Sequence, residues 1–215
     1  MEQDFAQARR LMVEHQIRAR GVSNERVLAA MREVPRHLFV PEDLRYAAYG
    51  DHPLPIGEEQ TISQPYIVAV MTELLSPEPG DRILEIGTGS GYQAAVLGRI
   101  VREVWSVERI ASVAAQAERN LEAVGAANVH VVVGDGTLGL PERAPYDGII
   151  VTAAAPSVPE PLFDQVADGG RLVAPVGSRH LQDLVCYTRR GGDFVVRSWG
   201  GVAFVPLIGT YGWEV

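Results

Sequence analysis

Arg82-Ile83-Leu84-Glu85-Ile86-Gly87-Thr88-Gly89-Ser90-Gly91-Tyr92 is the stretch on which the fold turns. The run 82–86 reads as a strand, Gly87 to Gly91 as a glycine loop, and a helix follows to about Ile100. Glycine lets backbone adopt positive φ and approach a ligand closely. A dinucleotide-binding fingerprint places its third glycine three residues after the second, at position 92, where this chain has Tyr92. The spacing here is G-x-G-x-G, which sets aside a nicotinamide dehydrogenase. A tight structural turn is the plain alternative.

Downstream, apolar runs alternate with amphipathic helices. Val104 to Val107 reads as a strand ended by Glu108. The next helix carries Ile110, Val113, Ala114, Ala117, Leu121 and Val124 on one stripe and stops at Gly125. Val129–Val133 is a strand before Gly134-Asp135-Gly136, Asp147–Thr152 another, Pro159–Val166 a short helix, and Arg171–Val176 a strand. Leu184–Thr188 and Phe194–Trp199 flank Arg189-Arg190-Gly191-Gly192, a hairpin signal, and a last strand is expected at Val202–Val205. Strands apolar on both faces, alternating with helices, imply a parallel sheet covered on both sides. The expected fold is a doubly wound, Rossmann-like α/β sheet with an antiparallel strand near the C-terminus. Such sheets bind ligands at the carboxyl ends of their strands.

Upstream the texture is helical. Residues 4–20 and 24–33 read as helices, the second starting at a Ser23/Asn24 cap signal. Pro35 to Pro55 is a Pro-punctuated stretch with Phe39, Tyr46 and Tyr49, and a loop of that length in a compact domain is functional or a cover. Gln60 to Tyr66 leads into a helix over 65–75, with Pro65 in its first turn and Ser63 placed to cap it. The change near residue 79 divides the chain into an N-terminal helical cap and substrate-loop segment, 1–78, and a core, 79–215, within one compact unit.

The chain has 215 residues, 47% hydrophobic and 21% charged, in the range of globular domains. Its net charge of −8, from 19 basic and 27 acidic residues, argues against nucleic-acid binding, which draws on phosphate neutralisation. All the basic residues are arginine. Arg9, Arg10, Arg18, Arg20 and Arg26 make the N-terminal part the most basic, but Glu14 and Glu25 interrupt them and the pattern reads as a solvated face. One cysteine, Cys186, excludes a disulfide framework and multi-cysteine zinc sites. Apolar runs are too short to cross a membrane, and Met1 to Asp4 lacks the start of a signal peptide. A cytoplasmic monomer without metal, membrane or nucleic-acid partner is expected.

Three strand ends carry the chemistry. The glycine loop with its alternate spacing points to S-adenosylmethionine (SAM). Glu108, about twenty residues on, stands where an acid grips ribose hydroxyls. Asp135 is a short acid that can accept from the adenine amino group, with Gly136 keeping the wall flat. Glu108 as a helix cap and Asp135 as a turn former are the structural alternatives. No Asn/Asp-Pro-Pro-aromatic motif follows the fourth strand, where the sequence is Val151-Thr152-Ala153-Ala154-Ala155-Pro156, and Cys186 reads as core. No histidine stands in an acid–base constellation. An acceptor that is already an anion at pH 7, such as a carboxylate, needs no base.

Thr61-Ile62-Ser63-Gln64-Pro65, the glycine loop, Gly134-Asp135-Gly136, Ala144-Pro145-Tyr146-Asp147, Ala154-Ala155-Pro156 and Phe204-Val205-Pro206-Leu207 together resemble the protein-L-isoaspartate O-methyltransferase family, over nearly the whole chain. The resemblance implies a repair enzyme that methylates the α-carboxylate of L-isoaspartyl residues in damaged proteins and peptides. The ester cyclises to succinimide and the cofactor leaves as S-adenosyl-L-homocysteine. It implies that Ser63 lies beside the methyl group and the substrate carboxylate, in a pocket shaped by Thr61, Ile62 and Gln64, with Val202 to Val205 along the substrate backbone. It places Glu85, Gly87, Thr88, Gly89, Ser90, Gly91, Tyr92, Glu108, Arg109, Asp135, Gly136 and Thr137 around SAM. Tyr66 stands where many relatives carry histidine, and Ala203 where many carry arginine. Other readings of the residues are a SAM methyltransferase of a small molecule or RNA, and a non-catalytic SAM-binding domain.

Overall fold

In a computed structural model, which describes residues Asp4 to Glu214, the chain opens with helix α1 (Phe5–Leu11), capped by Asp4 Oδ1 accepting from the Gln7 amide at 2.9 Å. Met1 to Gln3, part of the expected leaderless start, lie outside the described residues. The expected 4–20 helix is continuous in path but not in winding. After α1 it widens to a π-helical stretch over Met12–Ile17, tightens over Arg18–Arg20, and ends at Gly21. Met12, Val13 and Ile17 of this stretch are fully buried in the core.

Helix α2 (Glu25–Glu33) starts at the expected cap: Asn24 Oδ1 accepts from the amides of Arg26 and Val27. The 35–55 stretch is two turns of tight helix, Arg36–Phe39 and Glu42–Ala47, running into a hairpin of β1 (Leu54–Gly57) and β2 (Gln60–Ile62) that period reading did not find. Helix α3 (Pro65–Leu75) follows with Pro65 at its first position. Its cap position is Gln64 and receives no side-chain hydrogen bond, so Ser63 does not cap the helix.

The core then alternates as expected: β3 (Arg82–Ile86), α4 (Tyr92–Gly98), β4 (Glu103–Glu108), α5 (Ala111–Ala123), β5 (Val129–Val133), β6 (Tyr146–Val151), α6 (Glu160–Asp164), β7 (Val166–Gly177), β8 (Gln182–Arg190) and β9 (Asp193–Val202). The seven-stranded sheet has the order β5-β4-β3-β6-β7-β8-β9. The first five of these strands are mutually parallel, β8 alone is reversed, and β9 turns back at Gly191 to run with the rest. The expected separate strand at Val202–Val205 does not form. Val202 closes β9, and the segment beyond is pinned to the end of β6 instead, with Ala154 N donating to Val205 O and Leu207 N to Ala154 O.

Strand alternation sorts the core into two layers. Ile83, Ile150 and Val173 face one cluster with α3, α4 and the N-terminal helices; Leu84, Ile149 and Leu172 face the other with Leu162 and Leu207. The N-terminal segment therefore shares a buried layer with the sheet. Glu73 of α3 strengthens that tie, its Oε1 accepting from the amides of Ser23 and Asn24 at 2.7 Å each. Because Asn24 satisfies two otherwise unpaired amides, Asn24→Ala is expected to lower unfolding free energy by about 1 kcal/mol. Urea titration followed by far-UV circular dichroism measures this; an unshifted midpoint would show that the Glu73 contact suffices.

Candidate active site

The carboxyl ends of β3, β4 and β6 meet at a cleft. Its narrow inner part is lined by Ser63, Gly87, Gly89, Glu108 and Thr152, among others. It opens into a chamber of about 320 Å³ bounded by Glu108, Arg109, Gly136 and Leu207. On the other side of the Thr61–Gln64 segment lies a groove of about 640 Å³, bounded by Tyr66, Trp199, Val202 and Phe204. Thr61, Ser63 and Thr152 line both the narrow cleft and the groove, and Val205 touches all three spaces. A ligand in the chamber and a ligand in the groove would thus meet at Ser63 and Thr152.

The β1–β2 hairpin holds Thr61 and Ile62 in place, and α3 begins directly after Gln64. Ser63 is caught between these two elements and half-buried, and its hydroxyl has no hydrogen-bond partner among the described residues. Gln64 is anchored away from the cleft, donating to the Asp51 carbonyl at 3.0 Å.

The glycine loop is shaped from three sides. The Thr152 hydroxyl lies 2.6 Å from the Gly87 carbonyl and 3.0 Å from that of Ile86. At Gly87, φ is +94°, and a Cβ would come within 2.5 Å of the Thr152 hydroxyl oxygen. Glu108 Oε2 accepts from the Gly89 amide and Oε1 from the Ile110 amide, each at 3.0 Å. It therefore braces the loop and the start of α5 while still facing the chamber. Below the loop, the Thr88 hydroxyl meets that of Ser106 at 2.6 Å, and Ser106 in turn bonds the Glu85 carboxyl. Glycine is needed again at Gly136, where a Cβ would stand 2.5 Å from Ile86 Cγ2, so the wall there stays flat.

Several expected positions lie elsewhere. Glu85 is fully buried beneath the loop, because strand register pairs it with Ser106 on the inner face. Gly91 turns toward α5, with Leu121 Cγ 3.2 Å from a Cβ there. Both oxygens of Asp135 are engaged within the chain: Oδ1 accepts from the Thr137 amide and hydroxyl, and Oδ2 from those of Thr210. Burial alone would raise its pKa, but these four donors outweigh it and hold the carboxyl below its ordinary value. Asp135 is thus the turn former rather than a free acceptor for an adenine amino group. Thr137 is fully buried under the C-terminal tail. Thr88, Ser90 and Tyr92 line the narrow cleft, and Arg109 the chamber. Thr152 and Gln60 were missed. Thr152 was findable as the residue ending the fourth parallel strand; Gln60 depends on the hairpin. Cys186 is buried, its Sγ 3.7 Å from the Leu74 carbonyl, with the thiol pushed up by burial.

Among the described residues no group of three His, Cys, Asp or Glu side chains is placed to hold a metal, and no helix is long and apolar enough to cross a membrane. A family model described as protein-L-isoaspartate(D-aspartate) O-methyltransferase matches residues 7–212. The chain belongs to that family. It is 62% identical over 206 residues to the protein-L-isoaspartate O-methyltransferase of Methanoregula boonei, covering 96% of this chain and 95% of the relative. The Methanospirillum hungatei JF-1 protein of the same name is 63% identical over 203 residues, 94% of each chain. A solved protein-L-isoaspartate O-methyltransferase superposes with a TM-score of 0.83 at 34% identity, over 94% of this chain and 67% of its own. A Plasmodium falciparum protein solved with S-adenosyl-L-homocysteine shares the fold, with a TM-score of 0.81 at 24% identity over 93% of this chain and 98% of its own. The family is SAM-dependent, and the flat wall at Gly136 and the close approach at Gly87 suit a flat, extended cofactor.

Burial, the first cause, pushes the Glu85 pKa up to about 8 despite the hydrogen bond from Ser106, and among the described residues its Oε1 has no partner. The folded state keeps this proton through a range where an unfolded glutamate, near 4.5, has lost it. Stability then falls as pH rises from about 4.5 to about 8 and is flat in this term above that. Glu85→Gln should remove that slope, gaining on the wild type by an amount that grows to the order of a few kcal/mol at the alkaline end. Denaturant titrations of the cofactor-free protein across this range are the measurement, and parallel curves for the two proteins would refute the assignment.

Proposed function

We propose a division of labour among the site residues for the family reaction. The enzyme transfers a methyl group from SAM to the α-carboxylate of L-isoaspartyl residues in damaged proteins and peptides. The carboxylate oxygen bonds the methyl carbon as the methyl–sulfur bond breaks, giving S-adenosyl-L-homocysteine and a methyl ester; the ester then cyclises to succinimide as the following backbone amide nitrogen displaces methanol.

The chamber and narrow cleft hold the cofactor. The Gly87–Gly89 backbone admits its close approach, Glu108 accepts from ribose hydroxyls, and Gly136 flanks the base. The groove holds the isoaspartyl segment, with Val202 and Val205 along its backbone. Ser63 donates a hydrogen bond that aims the carboxylate at the cleft, and Thr152 keeps Gly87 in register with it. None of these roles moves a proton, in keeping with an acceptor already ionised at neutral pH. The chain's contribution is alignment and exclusion of water from the reacting pair.

The observation that carries this reading is the Ser63 hydroxyl, without a hydrogen-bond partner among the described residues and placed where cleft and groove meet. The direct test is incubation with radiolabelled SAM and two peptides that differ only in an isoaspartyl or aspartyl linkage. Base-labile methyl ester is expected on the isoaspartyl peptide alone; equal label on both would refute the substrate assignment. For Ser63→Ala, loss of a hydrogen bond to a charged group should lower turnover about 10- to 100-fold while SAM affinity stays within about twofold. Equal losses in turnover and SAM affinity would remove the positioning role.

A further inference from the structure

The groove also has an aromatic and cationic surface that the transfer step leaves unused. Among the described residues, Arg20 is the only charged one lining the groove. Its guanidinium lies over the Tyr66 ring, 3.5 Å from the centroid, and its Nη1 donates to Asp51 Oδ2 at 2.8 Å. Tyr66 makes a firm platform. It is buried in the first turn of α3, and its hydroxyl donates to the Arg20 carbonyl at 3.3 Å. Trp199, 41% exposed, continues the wall with its ring 6.1 Å from that of Tyr66. Gly21, left-handed at φ +101°, ends the helical segment and sets where Arg20 emerges.

A guanidinium held flat on a ring presents its remaining donors at its edge. Among the described residues Nε and Nη2 of Arg20 have no partner. Its one ionic partner is replaceable: the Arg20 and Asp51 side chains are 43% and 37% exposed, and ion pairs that open to water contribute little. We propose that Arg20 is a specificity-determining residue, pairing with a carboxylate on a residue that flanks the isoaspartyl residue of the substrate.

The proposal rests on the reading of this groove as the substrate's. It also runs against the whole-molecule charge of −8, which repels acidic peptides. The two effects differ in range. At physiological salt, distant charges are screened beyond about 8 Å, whereas a contact pair in a partly covered groove is screened much less.

The test is kcat/KM for amidated isoaspartyl peptides identical except for Glu, Gln or Lys at a flanking position, one set on each side. The wild type is expected to favour Glu over Gln by about two- to fivefold in at least one set. Arg20→Gln should collapse that ratio to about one, Arg20→Lys should retain part of it, and Asp51→Asn, which removes the internal competitor, should raise it. A ratio between peptides is insensitive to a general loss of folded enzyme. Equal rates for Glu and Gln in the wild type, or a preference that survives Arg20→Gln, overturn the proposal. A preference for Lys that fades with salt also overturns it, because net charge then governs. Absence of ester on every peptide refutes the isoaspartyl reading of the groove, and the role of Arg20 with it.

Discussion

The glycine loop between β3 and α4 is held in one conformation by polar contacts from three strand ends, and the site depends on that restraint. Thr152 from β6 meets the Gly87 carbonyl, Glu108 from β4 takes the Gly89 amide, and the Thr88–Ser106–Glu85 chain supports the loop from below. Glycine residues free to adopt many conformations would otherwise make the loop floppy. The surrounding strands remove that freedom while leaving the cleft side of the loop bare, so that a ligand meets backbone rather than side chains.

These restraints carry a cost in buried polarity. Glu85 lies in the core with one oxygen unpartnered among the described residues, and it stays neutral there because an ionised carboxylate without a cation is far costlier to bury. A second case lies under the N-terminal helices. Arg36 is fully buried, with Nε donating to the Ala48 carbonyl at 2.8 Å and its face toward the Tyr92 ring. Tyr92 is the first residue of α4, so this arginine ties the N-terminal segment to the helix that leaves the glycine loop. Both buried polar groups stand behind the site rather than in it.

The C-terminal tail closes the other end of the chamber. Thr210 holds Asp135, Trp213 donates its indole N–H to the Ala154 carbonyl at 3.1 Å, and Arg179 lies over the Trp213 ring. Residues distant in sequence thus form one wall. The tail occupies the hydrogen-bonding capacity of Asp135, an acid that by position alone looks available to a ligand.

The β1–β2 hairpin was not legible in the sequence, and the Thr61 to Ser63 cluster only through the family resemblance; the strand and helix order of the core, the glycine loop, the Asn24 cap and the reversed β8 were legible. Each rests on local chemistry: periodicity, turn residues, or a motif whose spacing the ligand dictates. The side a residue faces was not legible. Glu85 and Gly91 sit within the motif yet point into the core, because strand register and helix packing set direction one residue at a time. Asp135, Thr137 and the absent Val202–Val205 strand were decided by partners about 50 to 75 residues away, Thr210, Tyr211 and Ala154. The Arg20–Tyr66–Trp199 wall likewise joins an N-terminal helix, α3 and β9. Sequence by itself determined the alternating strands and helices of the core and the chemistry they carry, since those follow from neighbours along the chain. Only the tertiary structure decided which of those groups remain free to meet a ligand, since hydrogen-bonding capacity is allotted among groups that folding brings together.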